Sequence, residues 1–140
     1  MKKYVCIIAC MISACATIPE RSATSTSSGD VGNVERKIFD VATKCWAKEA
    51  GILSGDGYKV VDGRANGVYR IETYSYAQDG RGQTQIVIEI SKQNDQVVLT
   101  ARQPALEGAI SSTPSPDLDM RWQDANNWIK GNYTCAYKQI

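Results

Sequence analysis

Read from the N-terminus, the chain passes through several distinct patterns of apolar and polar positions. Tyr4 to Ala14 is a largely apolar run behind Lys2 and Lys3. From Ala16 to about Asp30 the residues turn to Thr, Ser, Pro and charge, too polar to bury the surface that would order them. Helical periodicity follows. Val34, Ile38, Val41, Ala42 and Cys45 fall on one stripe, broadened by Phe39 and Trp46, and predict a helix over 34–50. Asn33 is placed to cap it, Glu35 suits its positive first turn, and Gly51 suits its stop.

Beyond that helix the period changes from 3.6 to two. Strands are predicted over 58–62, 68–76, 84–91 and 96–103, with Ile86, Ile88 and Ile90 on one face of the third and Val97, Leu99 and Ala101 on one face of the fourth. The separators 63–67, 77–82 and 92–95 are rich in Gly, Asn and Asp and too short for parallel crossovers, so the strands form an antiparallel meander. Pro104 ends the sheet. Ser115-Pro116-Asp117 then reads as an N-cap, a proline at the first helical position and an acid in the first turn. The helix it opens runs to about Lys130 with Gly131 as its stop, and its stripe is Leu118, Trp122, Ala125 and Ile129. The expected fold is α+β: helix, four-stranded antiparallel meander, helix, with both helices on one sheet face. Trp46 and Trp128 stand one residue off their stripes, at the margin of the core.

The apolar run at the start has the layout of a secretory signal and is too short to cross a bilayer core of about 30 Å. Ile12-Ser13-Ala14-Cys15 resembles a lipobox, the bacterial lipoprotein motif of an aliphatic residue, two small residues and cysteine. The resemblance implies cleavage before Cys15 and acylation there, giving an anchor of several acyl chains that holds firmly where one would not. Ile7-Ile8-Ala9-Cys10 competes, but leaves an apolar region of only six residues, Tyr4 to Ala9, below the usual range of about 7 to 15. In enteric lipoproteins a residue other than aspartate after the anchor favours the outer membrane; Ala16 stands there, so a Gram-negative host would carry the protein on its outer membrane, facing the periplasm. The expected organisation is residues 1–14 signal peptide, 15–31 lipidated cysteine and flexible tether of on the order of 20 Å, and 32–140 a single domain.

This reading changes the charge and cysteine accounts. Without Lys2 and Lys3, Lys+Arg falls from 16 to 14 against 15 Asp+Glu, and the formal charge goes from +1 to −1. No basic patch recruits nucleic acid. Cys6 and Cys10 leave with the signal and Cys15 is acylated, so Cys45 and Cys135 remain as a pair in a compartment where disulfides persist.

Candidate chemistry is sparse. The chain has no histidine, which removes Ser-His-Asp and Cys-His catalysis and the commonest metal ligand. No phosphate-binding or calcium-binding loop motif is present, and Asp79-Gly80-Arg81-Gly82 reads as a hairpin turn. Glu72 and Glu89 could pair as hydrolase carboxylates, yet Arg70 and Arg102 beside them suit cross-strand ion pairing. Asp117, Asp119 and Asp124 raise a cation site, although the first two suit the helix terminus. No catalytic residue, metal or cofactor is assigned. With the isoleucines turned to the helices, Arg70, Tyr74, Tyr76, Val87 and Val98 share the opposite face, a candidate partner-binding surface because Tyr and Arg are enriched at interface hot spots. The expected function is a non-catalytic binding or assembly lipoprotein with a protein partner in the envelope. The alternatives are an inhibitor of an envelope-directed enzyme such as lysozyme, and a carboxylate hydrolase. Ser54-Gly55-Asp56-Gly57-Tyr58 resembles a Ser-Gly-x-x-Tyr loop of one lysozyme-inhibitor family, with a different spacing and without the rest of that family's pattern.

Overall fold

The computed structural model describes residues 16–49, 57–76, 81–109 and 111–136. Cys15, Cys10, the signal segment, residues 54–56 of the Ser54–Tyr58 motif and residues 79–80 of the Asp79–Gly82 motif lie outside the described residues. Nine elements follow in order: β1 (Ala16–Ile18), β2 (Arg21–Ser27), α1 (Val31–Trp46), β3 (Gly57–Ala65), β4 (Val68–Tyr76), β5 (Gly82–Gln93), β6 (Gln96–Gln103), β7 (Leu106–Ala109) and α2 (Pro116–Trp128).

The four-stranded meander flanked by helices is overturned. The main sheet has five antiparallel strands in the order β2-β6-β5-β4-β3, and β1 pairs with β7 in a second, two-stranded sheet. Much of the additional structure comes from the segment read as a tether. Arg21 to Ser27 runs antiparallel to β6, in register from Arg21 opposite Gln103 to Ser27 opposite Val97. Ser and Thr alternate there without an apolar stripe, so the pattern looked structureless. An edge strand needs no such stripe, because β6 supplies backbone partners and the small inward residues Ala23, Ser25 and Ser27 are only half-buried.

Arg21 ties this strand to the rest of the fold. Its guanidinium donates to Gln103 Oε1 at 2.5 and 2.7 Å and to Asp119 Oδ1 at 2.5 Å, and lies 5.2 Å from the centre of the Trp122 ring. Gln103 is fully buried, and its side-chain amide Nε2 donates onward to Pro19 O at 3.3 Å. The chain between β1 and β2 is therefore pinned to both β6 and α2.

Helix α1 begins three residues earlier than Asn33 suggested. Asp30 is the cap, its Oδ1 accepting from Asn33 N at 3.0 Å, and the helix ends at Trp46 rather than Ala50. Lys48 then bridges to Tyr58 through two backbone hydrogen bonds of 2.7 and 2.8 Å. Helix α2 opens as its sequence signature specifies, Ser115 Oγ accepting from Leu118 N at 3.2 Å with Pro116 in the first turn.

The hairpin β3–β4 turns on Asn66-Gly67 alone, both at positive φ, so residues 63–65 of the expected connection 63–67 belong to β3. Asn94-Asp95 does the same between β5 and β6, and two-residue turns of this kind match the twist of the flanking strands.

One continuous core joins both helices to the sheet. Ile71, Ile86, Ile88, Ile90, Val97, Leu99 and Ala101 face Ile38, Ala42 and Trp46 of α1 and Leu118, Ala125 and Trp128 of α2. The two tryptophans are central to it, with ring centroids 4.4 Å apart and exposures of 1% and 0%. Trp46 Nε1 donates to Asp124 Oδ2 and Trp128 Nε1 to Thr134 O, so each ring is buried with its polar edge satisfied. Cys45 and Cys135 form a disulfide across a Cα–Cα distance of 5.8 Å, and Asp124 Oδ1 accepts from Ala136 N beside it. The C-terminal segment is thus closed onto α1 by a covalent bond and onto α2 by a buried carboxylate.

Candidate functional site

Both faces of the sheet carry side chains that could act, and they differ in kind. On β4 the inward positions are Tyr69, Ile71, Thr73 and Ser75, leaving Arg70, Glu72, Tyr74 and Tyr76 on the outer face as the alternation predicts. The outer partners follow from the register: Glu72 is flanked by Val61 of β3 and Val87 of β5, Val87 by Arg102 of β6, and Val98 by Ser91 and Thr26.

The five candidate contact residues do not have equal standing. Tyr74 and Tyr76 are half-buried, and the Lys59 ammonium lies 4.9 and 5.6 Å from their ring centres. Tyr76 Oη also donates to Lys48 O at 3.4 Å. Next to them Val61 is 47% exposed, and with the tyrosines it makes an amphipathic patch at the β3–β4 edge. Arg70 is exposed but engaged with Glu72, and its Nη1 lies 3.6 Å from Glu89. Val98 is half-buried. Val87, with 0% exposure, offers no surface to a partner: it lies on the expected face, between Glu72 and Arg102, and is wholly covered.

The carboxylates considered for hydrolysis are held by the same arginine, and Glu72 also accepts from Thr84 Oγ1 at 3.2 Å. That network is what cross-strand pairing of charge produces on an exposed face. The aspartates are dispersed as well. Asp119 is engaged by Arg21 and Asp124 is buried beneath Trp46, and no group of potential metal ligands occurs among the described residues. One carboxylate elsewhere is perturbed. Glu35 has its pKa raised by partial burial, then by the negative charge of Asp62 and to a lesser extent Asp40, against a lowering by Arg36.

The inner face holds a region that periodicity did not reveal. Toward the start of β5 its buried side chains turn polar, with Thr73, Ser75 and Arg121 from 0 to 6% exposed. Between Thr73 and Tyr74 the register shifts: Thr73 pairs with Ile86 and Tyr74 with Thr84, so Gln85 is an additional residue on β5. Such a bulge re-aims a side chain. Gln85 joins Gln83, Tyr58 and Arg121 along a cavity of about 440 Å³ whose other walls include Ile18, Leu106 and Leu118. The Arg121 guanidinium lies 3.7 Å from the centre of the Tyr58 ring, and its Nε donates to Asp117 O.

A sequence signal for Arg121 existed. Leu118, Arg121, Ala125 and Trp128 follow the i, i+3, i+7, i+10 spacing of one helix face, and all four are buried. The expected stripe of Leu118, Trp122, Ala125 and Ile129 also faces the core, with Ile129 buried and Trp122 packed at its edge, and it passes over Arg121. Gln85 left no comparable trace, since a bulge is set by pairing between strands.

No protein-family model matches the chain, and no curated protein matches it. Among solved structures the chain is similar to one titled Ara h 8.0201, at 11% identity and a TM-score of 0.41, covering 81% of this chain and 96% of that one.

Proposed function

We propose that the chain is a lipid-anchored envelope protein that works by binding, with Cys15 as the anchor and the outer sheet face around Tyr74, Tyr76 and Arg70 as the docking surface for a protein partner. The observation that carries the reading is Ile12-Ser13-Ala14-Cys15 standing immediately before β1. Ala16 pairs with Ala109, so the fold begins one residue after the anchor. A lipid at Cys15 would hold the domain against the bilayer, where a partner in the same membrane meets it at high effective concentration. The expected 20 Å tether gives way to this closer attachment.

The docking surface is supported by its composition. Two tyrosines beside an exposed valine and a lysine offer apolar area at low entropic cost with polar edges, the mixture favoured at interface centres. Neither helix covers it, since both bury their apolar faces in the core on the other side of the sheet.

Metabolic labelling with palmitate in a bacterial host tests the anchor. Label should be lost on Cys15→Ser and kept on Cys10→Ser; the reverse pattern, or no label, refutes it. For the surface, a photo-reactive residue at Val61 should crosslink a discrete envelope protein. Tyr74→Ala with Tyr76→Ala should abolish that adduct while the melting temperature stays within a few degrees, and an unchanged adduct would exclude this face.

A further inference from the structure

We propose that the outer edge of β3 is a dimerisation surface, where a second copy of this chain adds its own β3 antiparallel about a two-fold axis at Gly63. The surface is an edge of the sheet, distinct from the face around Tyr74 and Tyr76, and it does not require acylation of Cys15.

β3 ends the five-stranded sheet, with β4 on one side only. Along its other side Tyr58 exchanges two backbone hydrogen bonds with Lys48. The pairing with β4 runs without a register shift from Gly57 to Ala65, so the alternation continues from Tyr58. Val60, Asp62 and Arg64 therefore aim their N–H and C=O groups outward, and no backbone group among the described residues pairs with them. An open row of this kind is a template for another strand.

Gly63 stands between Asp62 and Arg64, inside the strand and outside the left-handed region, and a Cβ there would meet nothing within 4 Å. Neither a turn nor crowding within the chain calls for glycine at this position. Glycine inside a strand often marks the close approach of another backbone. Its own N–H and C=O face β4, so two Gly63 residues across the axis form a non-hydrogen-bonded pair. That is the closer of the two antiparallel spacings, about 4.5 Å between Cα atoms.

Charge fixes the register. Asp62 and Arg64 are exposed, and neither has an ion-pair partner among the described residues; Arg64 lies 4.7 Å from the centre of the Tyr69 ring. Partial burial, and next the charge of Asp62, raise the pKa of Glu35 on α1, so negative charge gathers at this corner of the fold. With the axis at Gly63, Asp62 of each copy lies opposite Arg64 of the other, and Val61, 47% exposed, lies opposite Ala65. An axis at Asp62 or at Arg64 would set like charges directly opposite one another. One at Val61 would bring Arg64 against Tyr58, whose backbone is already bonded to Lys48. Two identical patches related by a two-fold axis satisfy each other, so association through this edge stops at the dimer.

The test uses the full chain with Cys6→Ser, Cys10→Ser and Cys15→Ser, followed by sedimentation equilibrium over a wide concentration range. A monomer–dimer equilibrium is expected. Asp62→Arg and Arg64→Asp should each weaken it roughly ten- to thirtyfold, since the symmetry alters two charge pairs at once. Mixed with one another, these two variants should form a heterodimer about as tight as the parent dimer, because each again meets opposite charge. Gly63→Cys should give a disulfide-linked dimer under mild oxidation, and Val61→Cys should not. Thermal melts of each variant check that the fold persists. A monomer at every concentration, association unchanged by both charge reversals, or a mixture that fails to recover it overturns the interface. Crosslinking through Val61→Cys in place of Gly63→Cys overturns the register.

Discussion

Two ends of one sheet face have been built on opposite principles. Under α1 and the C-terminal half of α2, Ile88, Ile90, Val97 and Leu99 pack in one core with the tilted ring pair Trp46 and Trp128, and the Cys45–Cys135 disulfide closes the layer. The two indole nitrogens and the Asp124 carboxylate have their partners at this end, and Asn126 Oδ1 on α2 is buried without one among the described residues. Toward the start of β5 the same face turns polar: Gln83, Gln85 and Arg121 line a cavity, Thr73 and Ser75 are buried on β4, and Thr73 Oγ1 and Gln85 Oε1 are buried without a hydrogen bond among the described residues. The contrast separates the part of the domain that makes it stable from the part that stability does not require. A buried group with unmet hydrogen bonding works against folding, so the polar end contributes less to stability than the apolar one.

The largest effect should come from the covalent closure of the apolar end. Replacing Cys45 and Cys135 together by alanine opens a loop spanning 90 positions and should cost up to about 4 to 5 kcal/mol in the chain-entropy model, read as a lower denaturant midpoint. A loss under about 1 kcal/mol would show that packing alone holds that end.

Paired substitutions on one strand then probe the contrast directly. Ile88→Ala, in the apolar end, should cost about 2 to 5 kcal/mol, while Gln85→Leu at the other end should stay within about 1 kcal/mol of the parent or stabilise it. Chemical denaturation of both variants decides, and equal losses would erase the distinction between the ends.

Arg21→Ala is expected to fall below these. It leaves the fully buried Gln103 carboxamide short of a donor and should cost about 1 to 3 kcal/mol. Amide exchange along Ser22 to Ser27 should rise with it, if β2 depends on that contact rather than on its own composition.

The smallest effect concerns Glu35. Its folded pKa lies above the ordinary 4.5, so the native state holds the proton more tightly than the unfolded chain does. Stability therefore falls as pH rises from that ordinary value through the raised one, and the penalty persists at neutral pH. Glu35→Gln should melt slightly higher than the parent at pH 7, with the difference vanishing below the ordinary carboxylate range. A difference independent of pH would assign the effect to packing.

How far the sequence could be read depended on whether a segment's reason to fold was local. The Ser115-Pro116 cap, the alternation of β4, and the isoleucine face of β5 all have their cause within a few residues, and each was legible. The Asn66-Gly67 turn was visible as a signal but blurred by Gly63, which sits inside β3. Cys45 and Cys135 were paired by accounting for the other cysteines rather than by geometry. The outer-face set was placed correctly by alternation, yet exposure could not be: Val87 shares a face with Arg70 and is wholly covered because long side chains lie on both of its cross-strand neighbours.

Local pattern by itself determined where both helices form, which residues of the central strands face inward, and where the chain bears a lipobox-like cysteine. Only the tertiary structure decided that residues 21–27 are a strand, because their order derives from β6 and from Arg21 reaching Gln103 and Asp119, more than 80 positions away. It alone decided that Arg121 is buried and that Gln85 turns inward. Hydrogen-bond partners and cavities are properties of segments brought together from distant parts of the chain, and periodicity along one segment carries no record of them.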